Sequence, residues 1–134
     1  MRRVLLVGHC AADTASLQRI LGTHFSVRVD SAATLGETLA IARQTPVDLV
    51  LVNRILDQDG SLGLDVIREW VSTSELAATP VMLISNFESA QQEAIAAGAR
   101  PGFGKQRLHA PETLELLRLF LESPSSRTDS RSAE

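Results

Sequence analysis

A single cysteine, Cys10, stands in a chain of 134 residues, so no internal disulfide can form and nothing points to a bridged, secreted scaffold. Charge of one sign is scarce too. Thirteen basic side chains against sixteen acidic ones leave a net charge of −3, which supplies no field for gripping a phosphate backbone. Nucleic acid is therefore not expected as a direct partner. Long apolar runs are missing: no stretch approaches the about 18 residues that a spanning helix needs. The opening MRRVLLVGHC has an apolar run, Val4 to Val7, that stops at Gly8 and His9 and is shorter than the apolar centre of a signal peptide. A cytoplasmic protein that does not engage a membrane is the expectation.

Several catalytic and binding words are absent as well. The first apolar run is followed by one glycine, and G-x-G-x-x-G does not occur, which removes the dinucleotide reading. Aligning Asp57, Asp59 and Gly60 with a calcium loop puts Ile55 at its first ligand and Val66 at its twelfth position, so an EF-hand fails on spacing. No arrangement of Ser, His and acid declares itself. His9 and Cys10 are adjacent and point to opposite sides of an extended chain, with no second cysteine to complete a metal site. They read as a histidine at the solvent edge and a small buried thiol. No enzyme is indicated.

What is there suits one domain, with 44% apolar residues for a single core. The stretch SPSSRTDSRSAE, 123–134, has no apolar periodicity and is expected to be a disordered tail, leaving 1–122 as the domain. Within it, short apolar runs alternate with helical periods, the pattern of crossover units on a parallel sheet. The runs are Val4 to Val7, Phe25 to Val29, Leu49 to Val52, Val81 to Ile84 and about Arg100 to Phe103. Between them lie stripes such as Leu17, Ile20 and Leu21, or Leu64, Ile67 and Val71. Thr34 with Glu37 fits a capping box, Gly22 and Gly98 fit left-handed helix ends, and Pro111 suits a first helical turn. The plan is (βα)5, a doubly wound parallel sheet whose expected order is 2-1-3-4-5.

In such a sheet functional residues gather at the carboxyl ends of the strands. Those ends deliver Gly8-His9-Cys10, Asn53, Ser85 and Phe103-Gly104-Lys105. This arrangement resembles the receiver domain of bacterial response regulators in two-component signalling, over about residues 2–122, and implies its flavodoxin-like fold. In that family the first strand ends in an acidic pair, the third in a phospho-accepting aspartate, the fourth in Thr or Ser, and the fifth in a lysine often preceded two residues earlier by an aromatic. Ser85, Phe103 and Lys105 match. The acidic pair falls on Gly8 and His9, the phospho-acceptor on Asn53, and the loop from Asn53 to Gly63 is about two residues longer than the common form.

An amide is a poor nucleophile, so the aspartyl phosphate cannot form at Asn53. Magnesium binds through carboxylates and phosphate oxygens, and its binding is expected to be weak or absent. Lys105, the only lysine, and Ser85 would have nothing to grip, unless Lys105 hydrogen-bonds Asn53. An emptied pocket of this kind is expected to favour a small anion. Asp57 and Asp59 offer replacement acids, although Asp-Gly and Gly-Ser more often mark a turn. The resemblance thus implies a stand-alone receiver in phosphorelay signalling that binds a partner protein, such as a histidine kinase or an output protein, without phosphorylation at Asn53. Two alternatives stay open: a receiver phosphorylated at Asp57 or Asp59, and a small-anion sensor. The family's contact face implies a surface on the fourth helix, fifth strand and fifth helix, where Phe87, Arg100, Phe103 and Leu108 would contribute, and leaves a homodimer through that face open.

Overall fold

The computed structural model describes residues 1–122. The expected tail, 123–134, lies outside the described residues. Five strands, β1 (Arg2–Val7), β2 (Val27–Ala32), β3 (Leu49–Asn53), β4 (Val81–Ile84) and β5 (Arg100–Phe103), alternate with five helices. The helices are α1 (Ala11–His24), α2 (Leu35–Gln44), α3 (Gly63–Ser72), α4 (Glu88–Ala96) and α5 (Pro111–Leu121), with a 3-10 turn at Lys105–Arg107. All strand pairs are parallel and their order is β2-β1-β3-β4-β5, the order expected for the flavodoxin-like (βα)5 plan.

Alternation along each strand divides the core in two. Val4, Leu6, Leu49, Leu51, Met82 and Ile84 point toward α1 and α5, where they meet Leu17, Leu21, Leu117 and Leu121. Leu5, Val7, Val50, Val52, Val81 and Leu83 point the other way, to Val66, Ile67 and Trp70 of α3 and Ala94 of α4. Because both faces of the central strands are covered, those strands read as unbroken apolar runs. Trp70 is fully buried and still satisfies its indole, which donates to the Thr79 carbonyl at 3.1 Å.

Local signals hold with two corrections. Thr34 caps α2 by accepting from the Glu37 amide at 3.2 Å, and Glu37 answers by accepting from the Ala33 amide at 2.8 Å. Gly98, at φ +113°, ends α4. Gly22 does not end α1, which runs on to His24, and Phe25 is the residue that terminates the helix rather than the start of a strand. Phe25 is buried against the α1 side of the core, so its burial comes from the helix end, and β2 begins at Val27. The β4–β5 ladder is irregular at Pro101 and Gly102, where proline has no amide hydrogen. Gln91 of α4 bridges this gap: its side-chain oxygen accepts from the Gly102 amide at 3.0 Å, and its nitrogen donates to the Leu83 carbonyl at 2.9 Å.

Candidate functional site

The carboxyl ends of β1, β3, β4 and β5 converge with the amino terminus of α1. β1 leaves the sheet through Gly8, whose φ of +77° is the left-handed region glycine enters without strain. The loop from Arg54 to Leu62 folds back over this point. Ile55 and Leu62 pair as an antiparallel bridge, the Leu56 amide donates to the Ser61 carbonyl at 2.8 Å, and the Asp57 amide donates to the Gly8 carbonyl at 2.9 Å. These bonds drive Leu56 into the fold, where it is fully buried. A Cβ on residue 8 would lie 2.5 Å from Leu56 Cγ. A side chain cannot occupy position 8 while Leu56 fills that space.

The apolar strand β3 ends on Asn53, whose amide is bonded at both of its polar atoms. Its Nδ2 donates to the Gly8 carbonyl at 3.0 Å and to the Ile55 carbonyl at 2.8 Å, and its Oδ1 accepts from Lys105 Nζ at 3.1 Å. Two carbonyls need a donor here, which a carboxylate cannot supply. Asn53 thus joins β1, the β3–α3 loop and β5 in one network.

Lys105 hydrogen-bonds Asn53, the alternative that the sequence leaves open, and has a second partner that the sequence does not announce. Besides Asn53, its Nζ meets Asp13 Oδ2 at 2.6 Å, in a pair whose side chains are about one third exposed. The Lys105 hydrogen bond holds the Asp13 carboxyl below its ordinary range. Asp13 lies in the first turn of α1, where an acid is usually read as a response to the helix dipole. Nothing in its local sequence marks it as the counter-ion of a lysine 92 residues away. The one hint was the isolation of Lys105 as the only lysine.

His9 also differs from expectation. It is largely buried, and its Nε2 lies 3.0 Å from the Leu51 carbonyl, which requires Nε2 to carry the proton. Nδ1 is then an acceptor, buried and without a partner. Burial, chiefly, and the Lys105 charge push the imidazole down to about 4, against the bond to Leu51, so His9 is neutral near pH 7. Cys10 is half-buried and caps α1, with Sγ 3.5 Å from the Asp13 amide.

Ser85 is buried, and its hydroxyl accepts from the Phe87 amide at 3.1 Å. Together with Asn53, Ile55, Asn86, Phe87 and Lys105 it lines an open cleft of about 240 Å³. Asp57 and Asp59 do not line this cleft. Asp59 is exposed and accepts from the Ser61 amide at 2.9 Å and the Ser61 hydroxyl at 2.6 Å, the turn chemistry expected of an Asp-Gly loop. The expected contact surface needs correction at two positions, because Phe103 and Leu108 are each only 7% exposed and belong to the core. Phe87 is 58% exposed, and the exposed Arg100 lies 5.8 Å from the Phe120 ring.

No protein-family model and no curated protein matches the chain. Solved structures are similar to it. The chemotaxis response regulator CheY4 of Vibrio cholerae shares 22% identity at a TM-score of 0.72, over 90% of this chain and 99% of that one. The signal receiver domain of a DNA-binding response regulator from Colwellia psychrerythraea shares 17% at 0.78, over 92% and 100%. A putative response regulator from Chloroflexus aurantiacus shares 18% at 0.76, over 92% and 100%. Likenesses at such identities speak for the fold, and the chain folds as a response-regulator receiver domain.

Proposed function

We propose that the chain is an atypical receiver of two-component signalling that acts by recognising a partner protein and takes no phosphoryl group at the end of β3. The observation that carries this reading is the bonding of Asn53: its amide donates to two carbonyls and accepts from Lys105, so the residue is a structural tie with no free nucleophile. Magnesium, which the fold family implies, does not fit these residues. Gly8 has no side chain and no room for one, its carbonyl already accepts from Asn53 and Asp57, and Asn53 Oδ1 is held by Lys105. A small-anion sensor is disfavoured for a related reason, since Asp13 already compensates the Lys105 charge.

The output of such a domain is binding, not catalysis, and its partner is a histidine kinase or an output protein of the same pathway. A cytoplasmic location accords with this role, and no helix among the described residues is long and apolar enough to cross a membrane. Incubating the chain with acetyl phosphate and Mg²⁺ and weighing it by mass spectrometry tests the reading. The mass should not change. A phosphoryl group on Asp57 or Asp59 would overturn the reading in favour of a phosphorylatable receiver.

A further inference from the structure

Six large apolar side chains are exposed among the described residues, and three of them, Ile55, Leu62 and Phe87, are gathered at one place. Ile55 and Leu62 face each other across the antiparallel bridge. Phe87 shares the 240 Å³ cleft with Ile55 and a second cleft, of about 190 Å³, with Leu62, Leu64 and Ala90. The other three line neither cleft. A contiguous exposed apolar patch is uncommon on a protein that works alone.

Two of these residues also occupy positions where local stability asks for something else. Leu62 is the N-cap of α3 and Phe87 the N-cap of α4, and neither cap has a side-chain hydrogen bond. Ser, Asp or Asn there would satisfy a free helix amide. Both helices therefore forgo a cap and expose an apolar side chain in its place, the kind of local conflict that marks a functional surface. Phe87 is also positioned: the Arg54 guanidinium lies 5.0 Å over its ring.

The charge around the patch has one dominant sign. Asp57, Asp59 and Asp65 on the loop and α3, and Glu88 and Glu93 on α4, are all exposed. Against them stand Arg54, engaged with Phe87, Arg68, which pairs with Asp65 at 3.7 Å, and Lys105, which lines the larger cleft and is paired with Asp13 at 2.6 Å. We infer that Ile55, Leu62 and Phe87 form a docking surface for a partner segment that presents apolar side chains flanked by lysine or arginine. The inference rests on the reading of the chain as a recognition module and names the chemistry of what it recognises. An aromatic anchor in a shallow cleft with a charged rim gives such a contact its affinity from the apolar centre and its selectivity from the rim.

The probes are two helical peptides with the same leucine positions, one carrying lysine and the other glutamate between them, each titrated into the full chain while backbone amide shifts are followed. The leucine–lysine peptide should move the amides of Ile55, Leu62, Phe87 and Ala90, the leucine–glutamate peptide should not, and added salt should weaken the binding. The double variant Leu62→Asn with Phe87→Asn should bind at least about tenfold more weakly, while its melting temperature holds or rises because asparagine supplies both missing caps. That combination separates lost docking from lost folding. Equal response to both peptides, response to neither, shifts that map elsewhere, or undiminished binding by the double variant overturns the docking surface. No phosphoryl donor is present, so phosphorylation found in the separate acetyl phosphate assay would defeat the proposed function and leave this result standing.

Discussion

The interior of the strand-end site and the rim a few residues away treat their side chains in opposite ways. Inside, Asn53 uses its whole amide, Lys105 has two partners, and Leu56 fills the place beside Gly8. At the rim, Ile55, Leu62 and Phe87 are left exposed, and two helix starts go without caps. A site that binds a reacting group usually keeps polar atoms unsatisfied inside and ordinary solvated residues outside. Here, His9 Nδ1 apart, the order is reversed: polar groups are spent on holding the interior, and the surface that remains available is apolar.

The largest expected break of this contrast is Gly8→Asp, the change that would begin to restore an acidic pair. It forces a left-handed conformation on a residue with a side chain and drives that side chain into Leu56. Strain of about 1–3 kcal/mol and overpacking of similar size together predict a loss near ~4 kcal/mol in chemical denaturation. Adding Leu56→Ala should recover part of the Gly8→Asp loss, so that the double variant is less unstable than the sum of the two single ones. Strict additivity would mean that the two residues do not compete for one space.

Acid should loosen the interior next. The folded His9 titrates at about 4 against an ordinary 6.5, so between these values the unfolded chain binds more protons than the folded one. Stability is therefore fully present above about pH 6.5 and falls as the pH drops toward 4, by on the order of 3 kcal/mol. Asp13, held below its ordinary 3.8, adds a further loss at still lower pH. His9→Gln keeps a donor for the Leu51 carbonyl and removes the titration, so denaturation curves between pH 7 and 4 should flatten. An unchanged slope in that variant would assign the acid sensitivity elsewhere.

The smallest effect belongs to Lys105→Met. The pair with Asp13 is about one third exposed, and such pairs contribute roughly 0.2–1 kcal/mol. The loss should stay within about 1 kcal/mol, with the Asp13 carboxyl titrating closer to its ordinary value by NMR. An unmoved Asp13 would mean that Lys105 is not what lowers it.

Much of the fold was legible because parallel strands covered on both faces leave an unmistakable apolar pattern, and because right-handed crossovers allow few strand orders. The Asn53–Lys105 bond was legible for the same reason, since strand ends of a doubly wound sheet meet. Other parts of the site were not. Asp13 looks like any first-turn acid, and only the meeting of the α1 amino terminus with the turn after β5 makes it a counter-ion. Leu56 looks like a loop residue, and its burial depends on a backbone bridge that no side-chain pattern announces. His9 was misread because exposure at a strand end depends on what the neighbouring loop covers. Helix α1 was cut short at Gly22 because a glycine near a helix end carries two readings, and the burial of Phe25 decided between them.

The most direct test of the closed interior is to give the strand its missing carboxylate and nothing else. Asn53→Asp, treated with acetyl phosphate and Mg²⁺ and weighed by mass spectrometry beside the native chain, should remain unmodified, because Gly8, His9 and the buried Leu56 still leave no place for the metal. It should also be less stable than the native chain by about 1–3 kcal/mol, since two carbonyls lose their donor. A phosphoryl group on residue 53 of that variant would contradict the account: the interior would then be an intact reaction site waiting for one atom exchange, and not a site rebuilt to hold itself shut.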